Sequence, residues 1–177
     1  GPLCRKLNDE GIPFQFVGGS CEPFDNRYGD PSHDGTVTPG YDLRSIGQDN
    51  HRGYGCWGTA RVQRSIRIWI EKDRPDMILL LIGINGINDK SPALLDALVE
   101  TIFLASPDLA LIVAQITPLK DFNRDLLDYN SYIRETLVPN YAARGRAIST
   151  VDLYTHFLTD QNDPMSIDPG RLANGIN

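Results

Sequence analysis

The sequence is short of cysteine, of long apolar runs and of positive charge, and each shortage closes off a class of protein. Three cysteines, Cys4, Cys21 and Cys56, are too few and too scattered for a disulfide framework or a zinc site. They leave room for one bridge and one thiol, so the redox compartment stays open. The longest apolar run, residues 77–82, is far too short to span a bilayer. A net charge of −6 argues against a nucleic-acid backbone as partner, because a phosphate-binding surface needs clustered lysine and arginine. The basic residues that do gather, Arg61, Arg64, Arg67 and Lys72, have the spacing of one exposed face of an amphipathic helix. No signal peptide opens the sequence, and a mature chain freed of one would read the same. Internal repeats and linkers are absent. The 177 residues therefore read as one domain, 1–177, large enough to bury a core unaided.

What is present alternates. Four short apolar runs, at 14–17, 77–82, 109–116 and 147–151, suit strands buried on both faces of a parallel sheet. Between them the periodicity is helical. Over 58–72, Val62, Ile66, Trp69 and Ile70 share a face. The segment 92–105 opens with Pro92 behind Ser91, an expected N-cap. Over 121–143 the series Leu126, Asn130, Ile133, Leu137 and Tyr141 recurs at helical spacing, with Pro139 expected to kink or end the helix. This alternation predicts an α/β fold of the three-layer, flavodoxin-like kind: an open parallel sheet with helices on both faces. Residues 19–52 break the rhythm. Rich in Gly, Pro, Asp and Asn, they follow the first expected strand, where loops of an open α/β sheet line the ligand crevice.

Two segments carry more specific information. His51-Arg52-Gly53-Tyr54-Gly55-Cys56-Trp57 precedes the first long helix, which leads into residues 75–85, where the apolar run 77–82 is followed by Gly83-Ile84-Asn85. In order and spacing these resemble the second and third sequence blocks of the SGNH (GDSL) hydrolases, especially the carbohydrate esterase branch. There the second block usually reads His-Glu-Gly-x-x-Gly-Trp and the third Gly-x-Asn-Asp. The segment 3–19 is similar to the helix and strand that follow the nucleophile block. Val151-Asp152-Leu153-Tyr154 is similar to the segment before the last block.

The resemblance implies acyl transfer with no metal and no cofactor. A serine attacks an ester carbonyl, a histidine takes its proton, and an aspartate orients that histidine. Backbone N–H groups and the third-block asparagine hold the oxyanion. Carried onto this sequence, Asn85 is an oxyanion donor, and either Cys56 or the adjacent Gly55 stands for the second-block glycine. At Cys56 a side chain demands a compatible φ and room. The position after Asn85 is Gly86, where the family usually has aspartate. The chain closes on Asn174-Gly175-Ile176-Asn177, resembling an Asp-Gly-Ile-His block with Asn174 and Asn177 in place of the catalytic aspartate and histidine. Asparagine does not titrate and cannot serve as a general base. His33, His51 and His156 read as loop or surface histidines.

The nucleophile block, a strand ending in Gly-Asp-Ser, is expected before the segment 3–19, and a final helix after the last block. The sequence thus reads as an incomplete view of a longer protein, lacking the first strand and last helix. A rival alignment makes residues 16–20 a degenerate nucleophile block with Ser20 as nucleophile. Two further readings stand beside serine esterase chemistry on a carbohydrate or other small-molecule ester. In one, a non-catalytic relative binds a glycan or a protein partner, with Tyr28, Tyr41, Tyr54 and Trp57 stacking on sugars or packing the loop. In the other, Asp25, Asp30 and Asp34 hold calcium, although the Asp-x-Asn-x-Asn-Gly pattern is missing. The family resemblance also implies a secreted or periplasmic protein.

Overall fold

The computed structural model describes residues 2–21, 48 and 50–172. The chain forms two compact units, Gly1–Cys56 and Trp57–Asn177.

In the first unit, helix α1 spans Pro2–Asp9. It stops where Gly11 turns to φ +66, and the N–H of Ile12 reaches back to the carbonyl of Leu7 at 2.9 Å. Such left-handed glycine stops are a common way to satisfy the last helical carbonyls. Cys4 is buried on this helix, and neither Cys4 nor Cys56 is in a disulfide. The strand expected at 14–17 is not formed. A single side chain takes the ladder's place: the amide of Gln48 accepts the N–H of Phe16 at 2.8 Å and donates to the carbonyl of Phe14 at 3.2 Å. An amide carries the donor and acceptor of a peptide group, so it satisfies the backbone that a neighbouring strand would otherwise pair. Strand β1, Ser20–Cys21, instead pairs antiparallel with β2, Asn50–His51.

The second unit has the α/β architecture expected from the alternation. Its elements are α2 (Thr59–Asp73), β3 (Met77–Leu80), α3 (Ser91–Ala105), β4 (Ala110–Ala114), α4 (Arg124–Tyr132), α5 (Val138–Ala143), β5 (Ile148–Val151) and α6 (Pro169–Leu172). A π-helical turn, Ile133–Leu137, joins α4 to α5, and a 3-10 turn, Thr155–Phe157, follows β5. The strands are parallel in the order β3-β4-β5, with Leu80 beside Val113 and Val113 beside Thr150.

One face of the sheet carries Leu80, Leu111 and Val113 into a core built by the predicted helical stripes. Ile66 and Ile70 come from α2, and Leu95, Leu98, Val99, Ile102 and Phe103 from α3. Leu126, Tyr129, Ile133, Leu137 and Tyr141 come from the helix that follows β4. Each large apolar side chain so buried contributes roughly 1.5–3 kcal/mol. The Tyr141 ring stacks on Phe103 at 5.5 Å and its hydroxyl bonds Glu100 at 3.0 Å, fastening α5 to α3. Burial, helped by that carboxylate, pushes the Tyr141 phenol well above its ordinary pKa. Alternate positions of β3, Met77 and Leu79, are each 53% exposed. As the spacing predicts, Arg61, Arg64, Arg67 and Lys72 lie on the solvent side of α2, where Arg67 pairs with Glu71.

The start of α3 lies one residue from the expected cap. Ser91 is the first residue of α3 rather than its cap, and Lys90 holds the cap position. The Ser91 hydroxyl accepts the N–H of Asn88 at 3.0 Å, so it closes the turn that feeds the helix. Asn123 is a side-chain cap, accepting the N–H of Leu126 at 2.9 Å.

Candidate active site

Strand β3 delivers the third block to the carboxyl edge of the sheet. Beyond Leu80 the chain runs to Gly83, at φ +120, and then through Asn85 and Gly86, at φ +76. A Cβ on Gly83 would lie 2.5 Å from the hydroxyl oxygen of Tyr129, so the backbone passes where no side chain fits. That hydroxyl donates to the carbonyl of Ile82 at 2.9 Å. Asn88 steadies the far side of the turn by donating to the carbonyl of Gly86 at 2.8 Å.

Asn85 is exposed, and its amide donates to the carbonyl of Trp57 at 3.1 Å. Only nitrogen can donate there, so this bond fixes which end of the amide is which. An amide nitrogen has two protons. One is held by Trp57 and sets the plane; the second is left for another acceptor.

The same contact brings Asn85 to the start of α2. Gly58 is the helix N-cap, with no side chain to cap the first turn, and a Cβ there would sit 3.5 Å from the Asn85 carbonyl oxygen. The uncapped N–H groups of a 15-residue helix give that end partial positive character. Gly58 was not singled out from the sequence. A glycine just ahead of an apolar-periodic run was the available signal, since glycine is a permitted N-cap.

Trp57 is half-buried, with the Arg61 guanidinium 3.9 Å above its ring and Trp69 5.9 Å away. It therefore packs against α2. Cys56, exposed, has φ +60, the left-handed conformation that glycine adopts without strain. Its neighbour Gly55 has no positive φ.

Ser20 opens β1 as the register partner of His51. The His51 ring accepts the N–H of Gly53 on Nδ1 at 3.0 Å, so its neutral form carries the proton on Nε2. In that tautomer Nε2 is a donor. His156 is exposed on the 3-10 turn, edge-on to Phe157. At the end of β5, Asp152 accepts N–H bonds from Tyr154 at 2.7 Å and Thr155 at 3.1 Å, and the Thr155 hydroxyl at 2.8 Å. Burial alone pushes its carboxyl up. The bonds from Thr155 and Tyr154, with the charge of Arg134, outweigh this and hold it below the ordinary value of 3.8.

Asn174, Asn177, His33, Tyr28, Tyr41, Asp25, Asp30 and Asp34 lie outside the described residues. Among the described residues no helix is long and apolar enough to cross a membrane, and no cluster of acidic, histidine and cysteine side chains forms a metal site.

No family model matches the chain, and neither does any curated protein. Solved structures do. A family 3 carbohydrate esterase of Clostridium thermocellum matches with a TM-score of 0.66 at 23% identity, over 96% of this chain and 76% of that one. A mutant acetyl esterase with acetate ion matches at 0.65 and 17%, over 96% and 86%. A family 3 carbohydrate esterase from Talaromyces cellulolyticus matches at 0.63 and 17%, over 88% and 75%. At these identities the likeness establishes the fold: this chain has the α/β fold of those esterases, the one the SGNH resemblance implied.

Proposed function

We propose that this protein hydrolyses acetyl esters of carbohydrates by serine acyl transfer, with the Asn85 side chain as an oxyanion donor. The observation that carries this reading is the state of the Asn85 amide. One N–H is bound to Trp57, at the carboxyl edge of β3 and next to the start of α2, and the other is available. A donor oriented before the reaction needs no reorganisation when charge develops on the carbonyl oxygen, so it acts on the transition state more than on bound substrate. The names of the structural neighbours, carbohydrate esterases and an acetyl esterase, support the choice of acyl group and substrate.

Acetate release from an acetylated xylo-oligosaccharide tests the activity, and Asn85→Ala tests the site. The substitution should lower kcat by about 100- to 1,000-fold with KM little changed, the usual cost of one oxyanion donor. An unchanged kcat would remove Asn85 from the chemistry. Labelling with a fluorophosphonate, followed by peptide mapping, locates the nucleophile: Ser20, or a serine beyond these residues.

One observation favours a second reading, a non-catalytic glycan binder. Gly86 puts bare backbone where the family carries a carboxylate, and the sequence has asparagines at 174 and 177 that cannot titrate. Saturable glycan binding with neither acetate release nor a fluorophosphonate adduct would establish it.

A further inference from the structure

We infer that Tyr129 is a positioning residue for Asn85, setting from the buried side of the sheet where that amide points. The inference rests on the reading of Asn85 as an oxyanion donor. Four residues, Leu81 to Ile84, lead from β3 to Asn85, and Tyr129 holds the middle two, Ile82 and Gly83. Its hydroxyl donates to the Ile82 carbonyl at 2.9 Å, and Gly83 lies against its ring so closely that a Cβ would meet Oη at 2.5 Å and Cζ at 2.6 Å. The ring itself is fully buried, at 0% exposure. It therefore cannot swing away without opening the core, and its hydroxyl marks a fixed point.

The next residue extends the grip to the neighbouring strand. Asn130 accepts the Ile116 N–H and donates to the Ile116 carbonyl, both at 2.8 Å. Two consecutive residues of α4 thus hold the carboxyl ends of β3 and β4 at set heights. Burial raises the Tyr129 phenol above its ordinary pKa, which keeps the hydroxyl a donor to Ile82. Asn85 follows three residues after the pinned carbonyl and is held on its other side by Trp57. An amide fixed at both ends is preoriented; with one end released, the turn is free to tilt. A loss of that order at an oxyanion donor acts on the transition state alone.

Tyr129→Phe removes one oxygen and keeps the ring. With an acetyl ester substrate, kcat should fall roughly tenfold while KM stays within about twofold, the pattern of a lost transition-state interaction. In an Asn85→Ala background the same substitution should have little further effect, since the residue through which it acts is gone. An equal fall in both backgrounds overturns the positioning role and leaves the esterase reading intact. A wild-type kcat for Asn85→Ala, by contrast, sinks the oxyanion assignment itself.

A second readout needs no turnover. The Asn85 side-chain amide protons should shift, and exchange faster, in Tyr129→Phe. They should stay put in Tyr141→Phe, which loses a hydroxyl of another buried ring, bonded elsewhere. Unmoved Asn85 resonances in Tyr129→Phe overturn the inference whether or not the protein turns over substrate.

Discussion

Cys56 sits in a conformation made for glycine. At φ +60 an L-residue carries a penalty of roughly 1–2 kcal/mol, which glycine escapes, while glycine loses about 0.5–1 kcal/mol of chain entropy on folding. The difference leaves Cys56→Gly stabilising by up to about 1 kcal/mol. It should appear as a higher denaturant midpoint at unchanged m-value; a lower midpoint would show that the thiol contributes more than the strain costs. The sequence placed either Cys56 or Gly55 at the second-block glycine, and a residue's φ is not written in its identity. Of the two, Cys56 is the one with a positive φ. Asn85 was singled out because Gly83-Ile84-Asn85, after an apolar run, resembles the third block; its role as oxyanion donor is the reading proposed above. Tyr129 was not: its apolar stripe explained it fully as core, and nothing in a sequence says where a buried hydroxyl points.

Among the elements, the helix after β4 is the most instructive. Proline lacks an N–H and crowds the carbonyl four residues back, so Pro139 was expected to kink or end the helix. The chain instead widens one turn: the N–H of Val138 bonds the carbonyl of Ile133, five residues back, and the helix continues through Pro139 as α5. The whole stripe from Leu126 to Tyr141 thereby stays buried. Asn130 stood in that stripe as a polar residue among apolar ones, and a buried amide must find partners. It found both polar groups of Ile116. Asn130→Leu keeps the branched shape but strands that N–H and carbonyl, and should destabilise the fold by about 2–4 kcal/mol in chemical denaturation. A change below about 0.5 kcal/mol would mean that water replaces the amide there.

For the molecule as a whole, the rhythm of apolar runs gave the parallel strands β3, β4 and β5 and the helices between them. The run at 14–17 failed because periodicity reports which residues want burial, whereas a ladder needs a partner backbone, and Gln48 supplied the equivalent groups from a side chain. Among the described residues, one carboxylate is identified as a contributor to the acid limb of stability. Asp152 is held below its ordinary pKa in the folded state, so its stabilisation is complete above the unfolded value and is lost as pH falls through the lower folded one. Asp152→Asn removes that titration. Melting temperature followed from about pH 5 to about pH 2 should fall less steeply in the variant, and parallel curves would assign the acid transition to other carboxylates.

The two glycines of the Asn85 turn give the lineage unequal freedom. Gly83 is closed to every other amino acid by the ring it lies on. Gly86 has nothing within 4 Å of where a Cβ would stand, and its φ of +76 lies near the region that aspartate and asparagine tolerate best. An aspartate at 86 would therefore meet open space and carry only the strain of a left-handed φ.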